Sequence, residues 1–157
     1  MKIGVIGIGI VGEANSYGFK KIGNKVFEHD IKLKTKIDDL KNCEIIFLCL
    51  PTPSKSNGDC DTSIIEKVIK DLNAIKFHNG IVCIRSTVAP GFTSRLIKKF
   101  QKMKICYSPE FLRERKAKYD FIKNHQLLAV GTNKKEIFNK VCKAHKSLPK
   151  NKIMLSP

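Results

Sequence analysis

The chain has 157 residues, 42% hydrophobic and 28% charged, with ten glycines and six prolines, which describes one globular domain with a sizeable core and excludes a large disordered tract. No apolar run approaches the roughly 20 residues of a membrane span, and the N-terminus reads as a core strand rather than a signal peptide, so a cytoplasmic domain is expected. The net charge of +16 comes from lysines spread over every segment and only four arginines, which favours a solvated surface that attracts anionic cofactors over a nucleic-acid face.

In chain order, Lys2 to Ile6 reads as a strand that runs into Gly7-Ile8-Gly9-Ile10-Val11-Gly12. One helix later, from about Gly9 to Ile22 and stopped by Gly23-Asn24, a second strand ends in Glu28-His29-Asp30. Strand, G-x-G-x-x-G turn, helix and acidic strand end make a dinucleotide-binding fingerprint. Gly7 permits the tight turn, Gly9 lets backbone approach a pyrophosphate, and Gly12 lets the helix lie close on the sheet. The first-turn amides, those of Ile10, Val11 and Gly12, then face the anion at the positive end of the helix dipole. Asp30, eighteen positions after Gly12, is placed to accept hydrogen bonds from a ribose, and its charge repels a 2'-phosphate, favouring NAD over NADP.

Only thirteen residues separate Asp30 from Glu44, whereas a helical crossover takes at least about 10 to 12. That space also has to hold a strand candidate at Thr35-Lys36-Ile37 and a turn at Asp38 to Asn42, so the usual helix is expected to shrink to a loop. Glu44 to Leu50 is an apolar run of the kind that forms a parallel strand buried on both faces, stopped by Pro51-Thr52-Pro53. A polar loop leads to a helix with Ser63 and Glu66 as a candidate capping box and Ile65, Val68, Ile69 and Leu72 on one face. Strands follow at Ile81 to Ile84, Lys104 to Tyr107, Leu127 to Val130 and Lys152 to Leu155. Helices are expected around Leu96-Ile97-Phe100 and from about Lys134 to Lys146.

Alternating strands and helices imply an α/β, Rossmann-like, doubly wound and mostly parallel sheet. In such sheets ligands lie beyond the carboxyl ends of the strands. The glycine turn, Pro51 to Pro53, Ser86-Thr87 and Pro109 to Glu114 all follow strands, so they are expected to converge on one crevice. The six cysteines form no C-x-x-C pair and have no histidine at ligand spacing, so no metal site is expected. Cys49, Cys83 and Cys106 read as core thiols, and Cys60, in a polar loop, as the reactive one.

These residues resemble the N-terminal domain of the UDP-glucose/GDP-mannose dehydrogenases. The likeness rests on GIGIVG at 7 to 12, LPTP at 50 to 53, DTS at 61 to 63, STVAPGFT at 86 to 93, and SPEFLRE at 108 to 114 with Ala117 and Asp120 behind it. It implies a nucleotide-sugar (UDP-glucose 6-dehydrogenase-like) oxidoreductase of polysaccharide biosynthesis that oxidises a C6 alcohol to a carboxylate with two NAD, through a thiohemiacetal and a thioester. The resemblance assigns Gly7, Gly9, Gly12 and Asp30 to the NAD contacts, with Thr52 and Pro53 along the cofactor cleft and Ser86 near the nicotinamide. It gives Thr87 the orienting of the reacting water and Glu110 the role of general base in thioester hydrolysis. Phe111 and Leu112 would hold the sugar nucleotide, and Glu114 would sit between cofactor and sugar.

The same resemblance implies what this chain lacks: the central helix and the second half with its nucleophilic cysteine, lysine and asparagine. Residues 1–157 then constitute the NAD-binding domain alone, inactive unless a complementing C-terminal chain supplies the rest; the oligomeric state, a homo-oligomer included, stays open. Thr35 stands where the family often has a basic residue, leaving Lys34 or Lys36 to reach the cofactor phosphates, and Arg115 replaces a common glycine. The bland readings are a non-catalytic Rossmann module that senses NAD or scaffolds a partner, solvated loop acids at Glu110 and Glu114, and a turn bond at Thr87.

Overall fold

The structure of the chain, a computed structural model, describes residues 1–156; Pro157 lies outside them. Among these residues the strands are β1 (Lys2–Ile6), β2 (Lys25–His29), β3 (Ile45–Leu48), β4 (Ile81–Ile84), β5 (Lys104–Tyr107), β6 (Leu127–Gly131) and β7 (Asn151–Leu155). The helices are α1 (Ile10–Lys21), α2 (Ser63–Ala74), α3 (Phe92–Lys99), α4 (Ala117–Lys123) and α5 (Lys135–His145). All strands lie in one sheet of order β2-β1-β3-β4-β5-β6-β7. Every pairing is parallel except β5 with β6, which meet only at Tyr107 and Gly131.

Period-two alternation decides which layer each strand residue enters. Ile46 and Leu48 of β3, with Val82 and Ile84 of β4, pack beneath Ile65, Ile69 and Leu72 of α2 and Phe92 and Leu96 of α3. Ile45 and Phe47, with Ile81 and Cys83, face the opposite layer of Phe19 from α1, Phe121 from α4, and Ile137, Val141 and Ala144 from α5. Phe19 stacks on Phe47 at 4.7 Å between ring centroids and meets Phe121 edge-on at 5.1 Å. All three rings are fully buried, each contributing roughly 1.5–3 kcal/mol of burial.

The short connection before β3 holds no helix of α type and no strand at residues 35–37. A one-turn 3-10 helix, Ile37–Leu40, fills the space, started by Asp39, whose carboxylate accepts from the Lys36 amide. The Ser63–Glu66 capping box does not form. Asp61 accepts from the Ser63 amide at 3.0 Å, while Glu66 is drawn across to Arg95 and Lys99 on α3. Helix α4 was not anticipated. α4 docks on α1 where Gly18 leaves room: a Cβ there would lie 2.0 Å from the Phe121 ring.

Candidate cofactor and catalytic site

The chain goes from β1 to β2 on one side and then crosses to β3 on the other, so the order reverses between β1 and β3 and opens a crevice above their carboxyl ends. At its floor Gly7 has φ +89°, and a Cβ there would stand 2.4 Å from the Cys49 carbonyl oxygen. A Cβ at Gly12 would stand 1.8 Å from the Gly7 carbonyl oxygen. Only glycine at both places lets α1 start this close to the sheet. A Cβ at Gly9 meets nothing within 4 Å, so the chain packs nothing over that peptide and leaves the space a pyrophosphate needs. The first amide of α1 to be bonded back is that of Glu13, to the Gly9 carbonyl. The amides before it, of Ile10, Val11 and Gly12, are the unpaired donors of a helix start.

Asp30 stands beside this turn. Its Oδ2 accepts from the Ile8 amide at 2.7 Å and its Oδ1 from the Lys32 amide at 2.9 Å. These amides, Lys32 first and then Ile8, hold the carboxyl below the usual carboxylate range, so it is ionised at neutral pH. Each oxygen keeps a lone pair free, enough for two ribose hydroxyls. The glycine cradle, the open face over Gly9 and the fixed carboxylate thus fit an adenine dinucleotide. Lys34 lies exposed on the turn after Asp30.

The next strand tips continue the row. The Cys49 amide bonds the Ile6 carbonyl at 2.8 Å, and the Leu50 amide bonds Ser86 Oγ at 2.9 Å. Ser86 is therefore buried, bracing β4 against the β3 exit, while Thr52 is half-buried and Pro53 exposed beyond it. Thr87 and Glu114 are exposed; among the described residues neither has a side-chain partner. From Asp30 at β2 to Ser108 at β5 the row crosses four inter-strand spacings, about 19 Å.

Glu110 is not a solvated loop acid. Its side chain is 7% exposed, and Oε2 lies 3.1 Å from Nη1 of Arg85, itself fully buried. Asn15 Nδ2 donates to the same oxygen at 3.0 Å, and Oε1 accepts from the Phe111 amide at 3.1 Å. The carboxylate is buried but not isolated in an apolar pocket, because a guanidinium neutralises it. Behind Arg85, Nη2 lies 2.6 Å from His145 Nε2, and His145 Nδ1 lies 2.8 Å from the Val141 carbonyl. A carbonyl only accepts and a guanidinium only donates, so His145 is neutral with its proton on Nδ1. Burial first, then Arg85, pushes its pKa well below the usual histidine value. Arg85, Asn15 and His145 escaped the sequence reading, since residues so far apart in the chain carry no shared local pattern.

Phe111 is exposed and Leu112 half-buried; both line an open cavity of about 290 Å³ together with Asn124, His125, Gln126 and Leu127. Its far wall exists because β6 rises beyond the end of β5. Arg113 grips Asp120 with Nε at 2.9 Å and Nη2 at 2.7 Å, tying the loop carrying Phe111 to Glu114 onto α4.

Among the described residues no cluster of histidine, cysteine and acidic side chains is suited to a metal, and no helix is long and apolar enough to cross a membrane. Comparison with known proteins then places the fold and the family. Residues 28–148 match the model of the UDP-glucose/GDP-mannose dehydrogenase family, NAD binding domain. The UDP-glucose 6-dehydrogenase of Rickettsia bellii is 31% identical, over 63% of this chain and 24% of its own length. That of Campylobacter jejuni is 31% identical, over 76% of this chain and 39% of its own length. Among solved structures, a UDP-glucose dehydrogenase from Pyrobaculum islandicum superposes with TM-score 0.87 at 20% identity, covering 99% of this chain and 46% of the other. A GDP-mannose dehydrogenase from Pseudomonas aeruginosa gives TM-score 0.80 at 23% identity, again covering 99% and 46%. The chain thus spans about a quarter of the first curated relatives and somewhat under half of these solved structures. With the match over most of its length, the chain belongs to the UDP-glucose/GDP-mannose dehydrogenase family as its NAD-binding domain, and its cofactor is NAD.

Proposed function

We propose that the chain is the cofactor half of an enzyme that oxidises the C6 alcohol of a nucleotide sugar, UDP-glucose or a relative, to the carboxylate, and that it is inactive until a complementing sugar-binding half joins it. The observation that carries this reading is the arrangement of the crevice. The glycine turn and Asp30 stand at one end, and a carboxylate fixed by Arg85 and Asn15 stands at the other, beside a cavity at Phe111 and Leu112.

Bound at the glycine turn, NAD would accept the hydride. The chain's own residues bind and orient. The Ile10 to Gly12 amides take the pyrophosphate, Asp30 the ribose, and Thr52, Pro53 and Ser86 border the nicotinamide end. Lys34 reaches toward the phosphates. Thr87, exposed at the β4 tip, orients a water, and Glu110 takes its proton during hydrolysis of the acyl intermediate. Glu114 stands between cofactor and sugar, and the Phe111-Leu112 backbone holds the sugar nucleotide.

Covalent catalysis needs a thiolate, and the cysteine nearest the crevice does not supply one. Burial pushes the Cys49 thiol up to about 12. Cys49 is therefore not suited to be the nucleophile.

The test is NADH formation from NAD and UDP-glucose, with the purified chain alone and then with the separately produced second half of a related dehydrogenase. The expected result is no turnover alone and turnover on mixing. Turnover by the chain alone contradicts the division of labour. NAD binding with no activity under any complementation favours the alternative, a module that senses NAD or scaffolds a partner.

A further inference from the structure

Arg85 is a cation without solvent. Its side chain is fully buried, its guanidinium lies 5.0 Å from the centre of the Phe47 ring, and neither Nε nor Nη1 has a hydrogen-bond partner among the described residues, Nη1 meeting Glu110 as an ion pair. Two groups hold its other end: His145 Nε2 at 2.6 Å from behind and Glu110 Oε2 at 3.1 Å in front. Glu110 sits on the loop after β5 and His145 at the end of α5, so the β4 arginine joins a crevice loop to a helix beneath it.

We propose that Arg85 is the positioning residue of the Glu110 carboxylate, with His145 as the backstop that fixes Arg85. The guanidinium draws Oε2 inward beside Asn15, whose Nδ2 is in turn tethered to the Val11 carbonyl at 2.9 Å. Oε1 is left as the outer oxygen, on the exposed Phe111 amide. A flexible glutamate is thereby given one orientation, set by a fork whose two terminal nitrogens face different partners, Nη1 the Glu110 carboxylate as an ion pair and Nη2 His145 as a hydrogen bond. Lysine, with one nitrogen, can neutralise Glu110 but cannot span it and His145 together. His145 suits the backstop role because its Nδ1 proton is committed to Val141, so Nε2 remains an acceptor. The inference rests on Glu110 serving as the base of the proposed function.

The experiment is carboxylate footprinting of the folded chain with carbodiimide and glycine ethyl ester, read site by site by mass spectrometry. Exposed Glu114 serves as the reactive reference, and Asp120, buried and gripped by Arg113, reports whether the fold is intact. In the wild type Glu110 is protected. Arg85→Met is expected to raise Glu110 labelling about tenfold, equivalent to roughly 1.4 kcal/mol of lost orientation, with Asp120 still protected. Arg85→Lys restores only part of the protection, because it neutralises Glu110 without spanning it and His145. Equal Glu110 labelling in wild type and folded Arg85→Met overturns the proposal.

If Arg85→Met unfolds, exposing Asp120 as well, His145→Phe decides. It keeps an aromatic ring beside Phe19 and removes the acceptor, so Glu110 labelling rises about threefold; an unchanged value overturns the proposal. NAD titration of the wild type is a separate reading. A chain that fails to bind NAD removes the functional assignment without altering the footprint.

Discussion

Two glycines of one turn, Gly12 and Gly9, separate what the fold needs from what the cofactor needs. In Gly12→Ala the new Cβ falls 1.8 Å from the Gly7 carbonyl oxygen, and real Cβ atoms essentially never come within 3.0 Å of a neighbour. The start of α1 must therefore retreat by about 1.2 Å, an overpacking displacement of the kind that costs about 1–3 kcal/mol. Alanine's better helix propensity returns at most about 1 kcal/mol. The net expectation is a loss of about 1–2 kcal/mol, or a Tm lower by about 5 °C for a chain of this size. Gly9→Ala meets nothing within 4 Å and φ there is −88°, so stability should change by no more than about 0.5 kcal/mol. Both variants should weaken NAD at least about tenfold, the first by moving the helix amides and the second by placing a methyl where the pyrophosphate sits. Denaturant unfolding and calorimetric titration separate the two effects. Wild-type NAD affinity in Gly9→Ala would refute the reasoning, as would a Gly12→Ala protein as stable as the parent.

Further outcomes follow from the buried polar groups. Burial, with Arg85 adding to it, lowers His125 from 6.5 to about 4, so the native state binds fewer protons than the unfolded chain between those values. Stability is full above pH 6.5 and falls by up to about 3 kcal/mol on acidification toward pH 4, with His145 acting in the same direction. Unfolding curves that do not change between pH 7 and pH 5 would contradict this. Glu110→Gln leaves Arg85 buried without an anion and should lower the unfolding free energy by about 3 kcal/mol; a denaturant midpoint at the wild-type value would show that the pair is not what holds the arginine. In the native chain a thiol reagent should modify Cys60 well before Cys83 and Cys106, which are fully buried, and reversal of that order would contradict the core packing.

The parts of this molecule that announce themselves locally were legible in the sequence. β4 and β5 carry the expected bounds because the short runs IVCI and KICY between turn signals leave little choice. The glycine turn and Asp30 were legible because their spacing is itself the geometry. Helix α4 was hidden: its seven residues are too few for a clear period, and it is stabilised by docking Phe121 against Gly18 rather than by its own pattern. The capping box was misread because Ser63 and Glu66 have the right spacing, but Asp61 and the α3 cations compete better for their groups. The strand expected at residues 35–37 has no partner strand to pair with, and Thr35 instead meets His29 Nδ1 at 3.0 Å. The largest omission, the chain of contacts from His145 through Arg85 to Glu110 and Asn15, spans four elements and exists only once the sheet is assembled. Burial is what turns those ordinary polar residues into one unit.

The most direct measurement is calorimetric titration of the purified chain with NAD and NADP, repeated with Asp30→Ala. The account predicts saturable NAD binding, weaker NADP binding because the Asp30 carboxylate is ionised and fixed by the Ile8 and Lys32 amides, and at least about a tenfold loss of NAD affinity in the variant. No saturable NAD binding at millimolar cofactor, or an Asp30→Ala chain that binds NAD as the wild type does, would contradict it.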